Sequence, residues 1–131
     1  MMDTQLDIQA AKMFMLFARF EYSLKAVGFH NDNGRAKPNW RQFAESIDEN
    51  FERIDDPALA EAVTYIETNP PKRQVIKDSH LDWDECAPET KLEVERVLIY
   101  ARQVRNNLFH GGKLMTAGLR PIAATHCCVT A

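Results

Sequence analysis

The stretch EVERVLIYARQVRNNLFHGGK, residues 93–113, carries two patterns at once. Val94, Val97, Leu98, Ala101, Val104 and Leu108 recur at helical spacing, which predicts an amphipathic helix with one buried face. Pro88 and the pair Thr90 with Glu93 offer two possible starts, and Gly111-Gly112 end it. Over its last turns the helix reads RNNLFHGGK, residues 105–113. Positions 102, 106 and 110 are four apart, so Arg102, Asn106 and His110 share a face. Arg105 lies about 100° round from Asn106, at the edge of the apolar stripe. A guanidinium there needs a carboxylate, a partner chain or a phosphate.

Three more helices precede it. Leu6, Ala10, Met13, Phe17, Phe20, Leu24 and Val27 alternate steps of four and three, a long apolar stripe ending near Gly28. HNDNGRAKPN, residues 30–39, is rich in turn formers and reads as a loop. Asn39 then caps a second helix, with Gln42 placed to return the bond, and Trp40, Phe43, Ile47, Phe51 and Ile54 form its inner face. Asp56-Pro57 opens a third, carrying Leu59, Val63 and Ile66, which Asn69-Pro70-Pro71 must stop. Residues 72–87 show neither a sustained helical period nor clear strand alternation. They read as an ordered connection anchored by Val75, Ile76, Leu81 and Trp83. The expectation is an all-α bundle.

A chain of 131 residues, 45% hydrophobic, is enough for one domain and too short for two. The helical domain takes residues 1–113. Residues 114–131, with no helical stripe, form a C-terminal tail or an irregular packed segment. Neither a signal peptide nor a membrane span fits, because Asp3, Asp7, Lys12 and Arg19 interrupt the first apolar run; the expected location is the cytoplasm. Three cysteines, Cys86, Cys127 and Cys128, do not make the framework of a secreted disulfide domain. His126-Cys127-Cys128 lacks the gap that lets paired thiolates converge on zinc, so no metal and no cofactor is expected.

A net charge of −3 argues against a general polyanion binder, yet its distribution is uneven. From Arg102 onward there are four basic residues and no Asp or Glu; residues 1–101 hold the other 12 basic and all 19 acidic ones. The basic end coincides with the motif, and the combination suits phosphodiester chemistry. Histidine exchanges a proton near neutral pH, arginine grips a phosphate with two parallel bonds, and asparagine orients an oxygen without titrating. With no carboxylate in residues 102–113, the stretch offers no oxygen-ligand site for a hard metal, and metal-free chemistry is the simpler reading. The purely structural alternative is a helix C-terminus where Arg105 forms an ion pair and His110 meets the helix dipole.

Arg105, four intervening residues and His110, with asparagine directly after the arginine, resemble the signature of the HEPN superfamily of helical nucleases. The apolar helix leading into VRNNLFHGGK, the connection PPKRQVIKDSHLDW and the opening FARFEYSLK are similar to that family's order, over residues 5–113. The resemblance implies an HEPN-like bundle of four to five helices that forms a homodimer, with the two motifs facing each other across a cleft. It implies RNA as substrate and cutting without metal: the ribose 2′-hydroxyl attacks and a 2′,3′-cyclic phosphate is left. Carried onto this chain, His110 is general base or acid, Arg105 stabilises the phosphorane and Asn106 positions the scissile group. Many relatives are toxins or phage-defence effectors restrained by a nucleotidyltransferase-like antitoxin. Relatives commonly continue into another helix after the glycines, which residues 114–131 do not resemble.

Arg102 and Lys113 are expected as supporting phosphate or RNA contacts. Glu21, flanked by Phe17 and Leu24, is expected to pair with Arg105 or Arg102 and orient it. His30, His80 and His126 read as surface residues, Trp40 and Trp83 as core, and the acidic clusters at 55–56 and 82–85 as caps or solvated loop. The alternative to a nuclease is a non-catalytic HEPN module that binds a partner protein, RNA or a nucleotide.

Overall fold

A computed structural model describes residues 4–85 and 87–110. Gly111, Gly112, Lys113, Cys86 and the expected tail at 114–131 lie outside the described residues, as do His126, Cys127 and Cys128. The first helix, α1, spans Thr4–Ala26. Gly28, at φ +108°, takes the left-handed conformation that glycine enters without strain, and the Phe29 N–H reaches back to the Leu24 carbonyl at 2.8 Å. Ala10 and Leu24 are buried, with Leu6, Met13 and Phe17 half-buried beside them. Val27 departs from the expected stripe: it falls past the helix end and is 71% exposed. A second line on α1, Ile8, Ala11, Met15, Ala18 and Tyr22, repeats the three-and-four spacing and is exposed throughout.

Helix α2 (Trp40–Phe51) starts as its sequence predicts, with Asn39 Oδ1 accepting the Gln42 N–H at 3.0 Å. The reciprocal half of the cap does not form. The Asn39 N–H instead donates to the Phe29 carbonyl at 2.9 Å and closes the intervening loop. Ile54, expected on the inner face, lies beyond α2 and is exposed. Helix α3 (Pro57–Thr68) begins on Asp56, whose Oδ1 accepts from Ala58 and Leu59, and it stops before the two prolines.

The connection is a correction to the all-α expectation. Strands β1 (Lys72–Lys77) and β2 (His80–Glu85) pair antiparallel as a hairpin, so the chain is mostly helical with a small two-stranded sheet. Asp78 and Ser79 both have positive φ, as a two-residue hairpin turn with the right twist requires. Neither strand buries alternate residues, and charge pairing links them instead: Arg73 sits opposite Asp84, and Lys77 Nζ bonds Asp84 Oδ1 at 2.6 Å. That contact holds the Lys77 pKa above and the Asp84 pKa below their ordinary values. Trp83 packs against the core, as expected of an anchor, whereas Ile76 and its cross-strand partner Leu81 are exposed near the tip.

Helix α4 (Glu93–Phe109) touches α1, α2, α3 and β1. Neither expected start is used: Leu92 is the cap residue, while the Thr90 hydroxyl donates to Glu95 and accepts from the Leu92 N–H. Val104 and Leu108 join Ala10 in a buried cluster over which Met13, Phe14, Ile66 and Trp83 close. Among the described residues no helix is long and apolar enough to cross a membrane.

At the head of α4, burial first, and then the nearby Glu67, raise the Glu93 pKa above its ordinary 4.5, with Arg96 opposing. A raised folded-state value means that Glu93 adds stability below its unfolded pKa and loses it as pH rises through the folded one. The gap in Tm between Glu93→Gln and the native chain is therefore expected to shift in the native chain's favour as pH falls from 7 toward 4.5, read by thermal circular dichroism. A gap that does not move with pH would remove Glu93 as the source.

Candidate functional site

Two consecutive asparagines on α4 face different ways, because successive helical residues are about 100° apart. Asn107 is buried at 4% exposure; its Nδ2 donates to the Lys72 carbonyl at 2.8 Å and its Oδ1 accepts from Gln103 Nε2 at 2.9 Å. It pins the start of the hairpin to α4. Asn106 faces a cleft instead. Its Oδ1 accepts from Arg105 Nε at 3.3 Å and Nη2 at 3.2 Å, so one edge of the guanidinium is held by its chain neighbour.

The other terminal nitrogen, Nη1, donates to Glu21 Oε1 on α1 at 3.0 Å. This is the pairing expected from the sequence, between side chains only 23% and 26% exposed. The guanidinium also lies over the Phe17 ring, 4.8 Å from its centroid. Phe17 and Glu21 are four apart on α1, so one helical face supplies both the aromatic floor and the carboxylate. Three of the five guanidinium N–H groups are occupied in this way. Two, one on each terminal nitrogen, have no partner among the described residues, and neither does Asn106 Nδ2.

These groups edge an open cleft of about 420 Å³. From α1 it is lined by Phe14, Phe17, Ala18 and Glu21, and at the end of α4 by Arg105, Asn106, Phe109 and His110. His110 is the C-cap of α4. Its backbone N–H continues the helix ladder to the Asn106 carbonyl at 2.9 Å, and its exposed ring meets Phe109 edge-on at 5.4 Å between centroids. The structure thus brings Glu21, Arg105, Asn106 and His110 to one cleft. It offers an anion two charge-assisted donors, a neutral amide donor and an imidazole able to give or take a proton.

Arg102 is a different case. It shares the helical face of Asn106 and His110 but is absent from the cleft lining. Its guanidinium lies 5.0 Å above the Trp40 ring, and its Nε donates to the Leu98 carbonyl at 3.4 Å. Burial, and next the like charge of Arg105, lower its pKa, while Glu21 and Glu95 act the other way. Lys113 lies outside the described residues. Asp56 and Asp84 are accounted for by a helix cap and an ion pair.

Sequence reasoning read Trp40 as core, which it is, but missed its second role. It is 7% exposed, but its Nε1–H donates to Glu21 Oε2 at 2.9 Å. It missed Phe14 and Phe109 as cleft walls too; their rings meet edge-on at 5.9 Å between centroids. Spacing alone signals Phe14, one turn before Phe17 and Ala18, whereas the Trp40 contact depends on the angle between α1 and α2. No family model matches the chain, and neither does any curated protein or solved structure.

Proposed function

We propose that the chain is a metal-independent endoribonuclease of the HEPN type. The observation that carries this is the convergence of Arg105, oriented by Glu21 and Asn106, with the exposed His110 on one cleft. In the proposed reaction a ribose 2′-hydroxyl gives up its proton and attacks the adjacent phosphorus. The 5′-oxygen leaves and takes a proton, and a 2′,3′-cyclic phosphate remains. His110 serves one or both proton transfers; the two open Arg105 donors and Asn106 Nδ2 hold the oxygens on which charge accumulates.

The proposed working unit is a homodimer. Its support is the exposed line Ile8, Ala11, Met15, Ala18 and Tyr22, whose small residues allow a second helix to approach. Ala18 belongs both to this line and to the cleft, so α1-to-α1 packing would set two clefts side by side. A cytoplasmic toxin or phage-defence role, with a nucleotidyltransferase-like antitoxin, is proposed from the resemblance alone.

The test is incubation of the purified full chain with a pool of structured RNAs in excess EDTA, with the product ends mapped. Cleavage that survives chelation, leaves cyclic phosphate and stops at sites carrying a 2′-deoxy sugar is the expected result. No cleavage by a folded dimer would overturn it in favour of a non-catalytic binding module. The salt dependence of any binding then separates the partners, because phosphate contacts weaken steeply with salt.

A further inference from the structure

We propose that Trp40 is a positioning residue of the cleft, acting on Arg105 through Glu21. This rests on reading Arg105 as the anion-holding group and goes beyond the residues assigned to the reaction above. The Glu21 carboxylate is shared between two donors on different elements: Oε2 takes the Trp40 indole N–H at 2.9 Å, and Oε1 takes Arg105 Nη1 at 3.0 Å. A carboxylate held at one oxygen only still rotates about its last bonds. Held at both, it fixes the guanidinium in direction as well as distance.

Trp40 is itself immobilised. Phe20 stacks nearly parallel to it at 5.4 Å with 12° between planes, and Arg102 covers its ring at 5.0 Å. As the first residue of α2, directly after the Asn39 cap, its backbone is set by that helix start. The side chain therefore ties α2 and α4 to one carboxylate on α1. Its N–H also meets a chemical need. Arg102 and Arg105 lie three apart on one helix with Glu21 between them in charge, and a neutral donor steadies the carboxylate without adding a third cation.

The experiment uses the full chain and two independent readouts. In the first, Trp40→Phe keeps an aromatic ring under Arg102 but removes the N–H. RNA cleavage is expected to fall roughly tenfold, in kcat rather than KM, as for one lost hydrogen bond to a charged group. Added to Glu21→Gln, the same substitution should cost almost nothing further, because both act through one contact. Full additivity, or unchanged kcat in Trp40→Phe, would overturn the proposal.

The second readout needs neither catalysis nor a Trp40 variant, so it survives failure of the nuclease reading or of that variant's fold. The chain has two tryptophans, hence two indole N–H resonances, and Trp83 serves as internal reference. The Trp40 resonance is expected to shift in Glu21→Gln, and in the native chain on titration with a deoxydinucleoside monophosphate, while Trp83 stays in place. A Trp40 resonance that stays in place under either change would overturn the proposal, whether or not the protein cuts RNA.

Discussion

Replacing His110 with alanine is expected to lower RNA cleavage by roughly 10²–10⁴-fold, the range for losing a positioned general acid or base. The fold should hardly register the change. The imidazole is exposed and makes no side-chain hydrogen bond among the described residues, and His110 serves the helix end through its backbone N–H, which alanine keeps. Substitutions at such sites stay within about 0.5 kcal/mol. Far-ultraviolet circular dichroism, Tm and sedimentation should overlay those of the native chain. Loss of helicity or a changed sedimentation rate in this variant would make the histidine structural and remove its assigned role.

Arg105→Lys should be nearly as damaging, although it preserves the charge. The guanidinium spans Asn106 and Glu21, and its two further donors have no partner among the described residues. An ammonium is a compact point charge with three donors and no planar fork, so it cannot reproduce that set. Cleavage is expected to drop about 10²–10³-fold, as when a donor to a developing oxyanion is removed. The exchange is also expected to cost about 1 kcal/mol of stability, because the half-buried Glu21 loses a well-aligned partner. Kinetics with thermal melts separate the two effects. A lysine variant that cuts at the native rate would show that a single positive charge suffices and that the clamp is structural.

The four helices were legible because their signals are local. Stripe spacing, the Asn39 and Asp56 caps and the paired prolines each act within a few residues; the caps and the proline stop lie where they were expected, and the stripes fail at Val27 and Ile54, past the helix ends. Leu92 at the head of α4 was not, since its capping uses no side-chain bond, and Thr90 turns its hydroxyl to Glu95. The hairpin was hidden for a different reason. Its strands carry the charged pairs Lys72–Glu85 and Arg73–Asp84 at one end and the exposed pair Ile76–Leu81 near the turn, so hydrophobic periodicity carries little information there; cross-strand pairing carries it instead. At the site, the Glu21–Arg105 pair was readable because a charge at the edge of an apolar stripe demands an opposite charge. Which asparagine turns outward, and that Arg102 leaves the cleft for the face of Trp40, follow only from how α4 packs on α1 and α2.

The Glu21–Arg105 contact joins the first described helix to the last, across 84 residues of chain. Synthesis proceeds from the N-terminus, so the carboxylate emerges from the ribosome long before the arginine that it orients. Until then α1, α2, α3 and the hairpin can associate, but the guanidinium is not yet in reach. The site therefore completes only once α4 is free of the exit tunnel. A chain halted before residue 105 would carry the carboxylate without its cation, so whatever the cleft does, cleavage of RNA in the proposed reading, waits on the last described helix.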